Sequence, residues 1–257
     1  ARAGLHFPVV AKPDLGMCGF GVCRLDDAAA LARYIEGFPR NQTIVLQEYL
    51  PQEGEAGIFY ARRPGGEGRI IGLALRYFPR VTGDGRRTLA ELIAADPRAG
   101  RIHHAGHALA LDGHRVPEAS EVVRLATIGS TRVGGLYRDG SACITPALSA
   151  RIDAIARDMA QFHFGRFDVR FADLDALRAA RGLKIMEVNG AGSEAIQAWD
   201  PALGLRQALR IIFDKQRILF SIGAANRRRG HRPMGLVQLA RLHFMQQRLL
   251  DAYPLSN

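Results

Sequence analysis

The sequence predicts an α+β protein in which strands and helices are mixed rather than regularly alternating. Three observations carry this. Short β-prone runs bounded by glycine and proline recur early, at Phe7–Ala11, Thr43–Leu50, Gly57–Ala61 and Arg69–Tyr77. Helical periodicity dominates later, in the stripe Leu148, Ile152, Ile155, Met159 and Phe162 and in amphipathic segments at 202–220 and 234–252. Two extended segments, Arg166–Arg170 and Met186–Gly190, fall between those helical regions.

Taken in order, the first strand ends at Lys12-Pro13 and runs into a turn, Asp14–Gly21, containing Gly16-x-x-Gly19-x-Gly21. Asp26 is placed to cap a helix through Ile35. The next strand ends in Gln47-Glu48-Tyr49-Leu50-Pro51, and the two after it are joined by the turn Pro64–Gly68. The loop Thr82–Arg87 leads to a helix opened by the capping box Thr88-x-x-Glu91. Residues 98–120 read as irregular; His103, His104, His107 and His114 lie there without metal-site spacing and are taken as loop residues. Thr145 and Pro146 open the strong helix, and a helical stretch at Leu174–Ala180 separates the two late strands. The expected domains are 1–75, 76–200 and a helical extension over 201–257.

Composition narrows the class. The 257 residues are 47% hydrophobic, with mean hydropathy −0.06, enough for a sizeable core. No apolar run reaches the roughly 20 residues of a membrane helix, no signal-peptide pattern opens the sequence, and three scattered cysteines favour a reducing cytoplasm. Net charge is +10, almost all from arginine, since Lys12, Lys184 and Lys215 are the only lysines. Such a balance favours anionic partners, from nucleotides to nucleic acid or anionic membrane. The densest cluster, Asn226–Arg232, reads as a solvated loop.

The chemistry concentrates in the two late strands. Alternation places Arg166, Asp168 and Arg170 on one face and Phe167, Val169 and Phe171 on the other. It likewise places Glu187 and Asn189 opposite Met186 and Val188. If these strands are neighbours, two carboxylates, an amide oxygen and two guanidiniums converge above an apolar layer. Oxygen ligands suit Mg²⁺ and arginines suit phosphate; a plain salt-bridge network is the competing reading. Gly190–Glu194 follows, with glycines able to expose N–H donors to an oxyanion. The early glycine turn lacks the Gly-Lys-Ser/Thr ending of a P-loop.

In this order the pieces resemble the ATP-grasp superfamily, specifically D-alanine–D-alanine ligase-like carboxylate–amine ligases. The resemblance runs from Val9-Val10-Ala11-Lys12-Pro13 through Gln47–Leu50 and Glu55 to Glu187-Val188-Asn189-Gly190 with Ser193. The stretch Val81–Ile93 is similar to one in cyanophycin-synthetase-like ligases. It implies two α+β subdomains clasping ATP, and an amide or peptide bond made through an acyl phosphate from small-molecule carboxylate and amine substrates. Lys12 would contact ATP, Gly19 and Gly21 would form a phosphate lid, Gln47, Glu48, Tyr49 and Leu50 would border adenine, and Glu55 would take the ribose. Asp168, Glu187 and Asn189 would bind Mg²⁺ or Mn²⁺, and Arg166 would stabilise the transferred phosphoryl group beside Ser193. Arg76 stands where relatives often carry lysine. The usual N-terminal domain and its phosphate-binding lysine do not precede the opening strand in these 257 residues, so either a fragment or a stripped-down member is expected. No specific nucleic-acid partner is expected, and a homodimer is compatible with this reading. A non-catalytic ATP-binding regulatory module is the alternative.

Overall fold

In the computed structural model, residues 4–100 and 111–257 are described; His103, His104 and His107 lie outside them. The class is α+β with antiparallel sheets. The chain divides into two units, 1–50 with 78–136 and 234–257, and 51–77 with 137–233. The first break therefore falls at 50/51 rather than 75/76, and 201–257 is not a separate extension. The cause is strand pairing: the hairpin after residue 51 belongs to the sheet that holds the late strands.

In the first unit, β1 (Val9–Pro13) lies between β2 (Cys23–Leu25) and β3 (Ile44–Glu48), antiparallel to both. Helix α1 (Ala28–Glu36) is capped by Asp27, not Asp26: the Asp27 carboxylate accepts from Ala30 N, while Asp26 is held by Arg24. Val9, Ala11, Cys23, Leu25, Tyr34 and Phe38 form a core closed by Leu250 and Tyr253 of the C-terminal segment. Tyr253 stacks on Phe38 and donates to Leu15 O. A second core gathers around α2 (Leu89–Ala95), whose Thr88–Glu91 capping box is present, and the pair β6 (Arg80–Thr82) and β7 (Val122–Arg124). The sequence reading missed β2, β6 and β7, strands too short for alternation to register.

The second unit is a five-stranded sheet in the order β10 (Lys184–Asn189), β9 (Phe164–Phe171), β4 (Gly54–Arg62), β5 (Gly68–Tyr77) and β8 (Leu136–Asp139). Ala56, Ile58, Tyr60, Leu73, Phe167, Val169 and Phe171 share one face with α3 (Pro146–Asp158) and α4 (Leu174–Arg178). Thr145 caps α3 as expected, and its stripe Leu148, Ile152, Ile155, Met159 and Phe162 packs into this core. Burying a large aliphatic or aromatic side chain stabilises by about 1.5–3 kcal/mol, so this layer fixes which way the opposite face points. Helix α5 (Leu205–Arg228) packs Ile218, Leu219 and Ile222 against Ala61 and Phe164. It runs farther than the periodicity indicated, taking Arg227 and Arg228 into its last turn instead of a loop. Helix α6 (Leu236–Ala252) belongs to the first unit.

Candidate functional site

Strands β9 and β10 are antiparallel neighbours with Glu187 opposite Asp168 and Asn189 opposite Arg166. Directly opposed residues share a face, so the side chains singled out in the sequence do converge, over a layer containing Phe167 and Val169. One placement differs. A bulge between Ile185 and Glu187 makes Met186 the extra residue, and its Sδ accepts from Arg170 Nε at 3.3 Å. Met186 thus sits with the arginines, not with Val188, because a bulge interrupts two-residue alternation.

The centre is Asp168, which is buried. Its Oδ1 accepts from Arg166 Nε at 2.6 Å. Its Oδ2 accepts from Arg166 Nη2 at 3.0 Å, Arg76 Nη2 at 2.9 Å and Asn189 Nδ2 at 3.2 Å. Arg76 is shared, its Nη1 donating to Glu55 Oε1 at 3.0 Å. Glu55 Oε2 lies 3.2 Å from Arg170 Nη2, and Arg170 Nη1 donates to Gln52 O at 2.7 Å. Asp168 is thus paired with Arg166 and Arg76 and not with Arg170. Arg170 serves Glu55 instead. Burial by itself would favour a neutral Arg76, but Asp168 and Glu55 outweigh it and push the guanidinium pKa up.

Gly57 explains how the cluster fits. It lies opposite Asp168 on β4, and a Cβ there would stand 2.9 Å from Arg166 Cδ and 3.3 Å from Asp168 Oδ1. The sequence reading missed Gly57, Gln52 and the linking role of Arg76. Hairpin counting from the Pro64–Gly68 turn would pair Glu55 with Leu75; a bulge between Phe59 and Tyr60 moves the partner to Arg76.

Glu187 is exposed, and its carboxylate makes no hydrogen bond or ion pair among the described residues. Beyond it, Ser193 N donates to Gly190 O at 3.0 Å, while the buried Ser193 hydroxyl has no partner among the described residues. Open space surrounds the Cα of Gly190 and Gly192, and Arg166 Nη1 reaches Glu194 O at 3.4 Å. Three arginines, Glu55 and Asp168 leave the buried cluster at +1, and Glu187 brings the set to neutral. Among the described residues no group of three or more His, Cys, Asp or Glu side chains is arranged to hold a metal. Glu187, Asp168 and the Asn189 amide supply oxygen atoms, the ligand type that Mg²⁺ takes together with water and phosphate; in this arrangement the Asp168 oxygens are engaged by Arg166, Arg76 and Asn189, and Glu187 is the exposed carboxylate of the set.

The remaining predicted residues lie in the first unit. Lys12 shares a sheet face with Val10, Val45 and Gln47, whereas Glu48 opposes Val9 on the other face. Tyr49 lies under the Arg24 guanidinium, 4.5 Å from ring centroid to Cζ, and Leu50 is buried. Gly19 and Gly21 have φ of 76° and 70°, in the left-handed region that favours glycine. A Cβ on Gly21 would stand 2.8 Å from Pro13 Cγ and 3.0 Å from Tyr253 Cβ; one on Gly19 would stand 3.0 Å from Ile128 Cδ1. Arg132 donates to the Cys18 and Gly19 carbonyls. The glycine turn is thus a packed element of this unit. Glu55, expected beside Gln47–Leu50, lies in the second unit within the arginine cluster.

No protein-family model matches the chain, and no curated protein does. Among solved structures the chain is similar to a bifunctional glutathione synthetase from Pasteurella multocida, at 17% identity and a TM-score of 0.41. The match covers 82% of this chain and 30% of that one.

Proposed function

We propose that the protein is an ATP-dependent carboxylate–amine ligase of the ATP-grasp kind, acting in the cytoplasm on a small-molecule acid and amine. The observation that carries this reading is the Asp168 cluster: half-buried arginines held by buried carboxylates, beside a Glu187 side chain without a partner among the described residues and an amide oxygen. Phosphoryl transfer asks little covalent chemistry of a protein and depends mainly on positioning and charge neutralisation. In this reading Arg166 and Arg76 meet phosphate oxygens, with Asp168 and Glu55 holding both guanidiniums in fixed orientation. Asp168, Glu187 and Asn189 would hold Mg²⁺ or Mn²⁺, which would neutralise phosphate charge when bound. The Ser193 hydroxyl and the open turn at Gly190–Gly192 supply donors for the acyl group. Lys12, Gly19, Gly21 and residues 47–50 contribute the nucleotide contacts of the first unit.

The test is ADP release by purified protein with Mg-ATP and a panel of amino acids. Failure of every acceptor to release ADP, together with no nucleotide binding by calorimetry, removes the proposal. ATP binding without turnover selects the regulatory module instead. Glu187→Gln is expected to abolish Mg-dependent turnover while leaving the melting temperature unchanged, since Glu187 is exposed and unpaired; near-normal activity would sink the metal assignment.

A further inference from the structure

The basic charge is distributed very unevenly. Residues 201–257 contain nine arginines and one lysine against two aspartates, so eight of the ten net positive charges fall in this last stretch. Most of that stretch is α5 and α6.

Helix α5 has two working faces. Inward, Ile218, Leu219 and Ile222 pack against Ala61 and Phe164. Outward, Leu205, Leu209, Phe213 and Phe220 fall within an arc of about 80° at 3.6 residues per turn. Leu205 is 74% exposed, Phe213 68% and Phe220 73%. Arg206, Arg210 and Arg217 occupy the adjoining strip; Arg210 and Arg217 flank Asp214, the only acidic residue of the helix. Arg227 and Arg228 fill the last turn. On helix α6, Val237 and Phe244, 86% and 65% exposed, stand seven residues apart on the side away from buried Leu250. Exposed large apolar residues are ordinary when scattered; aligned along helices and bordered by arginines, they mark an interaction surface.

Charge decides what that surface meets. A second copy would set arginine rows against arginine rows. Nucleic acid would engage the arginines but leave the leucine and phenylalanine stripe in water. We propose that α5 docks the protein on an anionic phospholipid surface, its apolar stripe entering the acyl boundary and its arginines meeting headgroup phosphates. No helix among the described residues is long and apolar enough to cross a membrane, so the association is peripheral. The proposal is independent of the ligase reading and needs no nucleotide.

It is tested by co-sedimenting the 257-residue chain with vesicles of phosphatidylcholine alone or mixed equally with phosphatidylglycerol, without ATP or Mg²⁺. Binding is expected to the mixed vesicles only and to weaken as NaCl is raised. Phe213→Ser with Phe220→Ser should lower affinity by roughly tenfold per ring, and Arg206→Gln with Arg210→Gln by about fivefold per charge. All four side chains are exposed, so unchanged melting confirms intact folding. Four results each overturn the proposal: no binding to the mixed vesicles, equal binding to neutral ones, wild-type affinity in the phenylalanine variant, or a dimer by sedimentation velocity that the phenylalanine variant dissociates. RNA binding that ignores the phenylalanines, without vesicle binding, reassigns the surface to nucleic acid.

Discussion

Replacing Asp168 with asparagine should destabilise the second unit sharply. Asp168 is 3% exposed, and its oxygens receive four donors from Arg166, Arg76 and Asn189. Asparagine keeps the volume and one acceptor oxygen but removes the charge. Arg166 then has no carboxylate partner, whereas Arg76 keeps Glu55. Removing one member of a buried pair costs about 3–5 kcal/mol, chiefly by leaving the other charge uncompensated. The retained Glu55 contact places this variant near the lower end, about 3 kcal/mol. Trp199, the sole tryptophan, lies in the second unit, so its fluorescence during urea unfolding reports on that unit. The comparison is Arg178→Ala, which removes a solvent-exposed pair with Asp175 and should stay within about 0.5 kcal/mol. Combining Asp168→Asn with Arg166→Met should recover part of the loss, with a coupling above about 1.5 kcal/mol. A loss below about 1 kcal/mol for Asp168→Asn alone would refute the uncompensated-charge reasoning.

Three further outcomes are expected. Gly21→Ala should cost roughly 2 kcal/mol or more in thermal unfolding, because φ is positive there and the new methyl meets Pro13 and Tyr253; an unchanged melting temperature would mean that the turn is not packed. Burial pushes the Cys23 thiol up to about 11 from 9.0. The neutral thiol is favoured by folding, so that contribution is complete below pH 9 and lost as pH rises through 11; over this window wild type should lose roughly 2–3 kcal/mol more than Cys23→Ala, and identical alkaline profiles would contradict it. Burial, opposed by Glu194, lowers the Lys215 pKa, and Lys215 lines a cavity of 160 Å³ with Gln197, whose Oε1 has no partner among the described residues. The fold therefore disfavours its charge, stability should rise as pH climbs toward 10.5, and Lys215→Met should be more stable at pH 7 without that slope; equal or lower stability counts against it.

The chemistry-bearing strands were legible because alternation is a local property: Asp168 and Arg166 needed only their own strand, and Glu187 only a neighbour. The Thr145 and Thr88 caps were legible for the same reason, since each bonds within three residues. What failed was register and reach. Met186 and the Glu55–Arg76 pairing were displaced by single-residue bulges, which composition does not announce. The unit boundaries were missed because they depend on β4 choosing β9 as partner, more than a hundred residues downstream. Gly57 was invisible as a site residue because its contribution is the absence of a side chain beneath Asp168.

The interleaving of the units also sets an order of synthesis. Every residue of the second unit has been made by position 233, whereas the first still awaits Leu250, Tyr253 and Asn257. Asn257 clasps β2 through both the N–H and the carbonyl of Arg24, and Ser256 receives Arg132. On the ribosome, then, the unit that holds β1 is the later of the two to close. Its core passes through most of translation with one wall absent, and a stalled or prematurely terminated chain would carry a finished second unit beside an open first one.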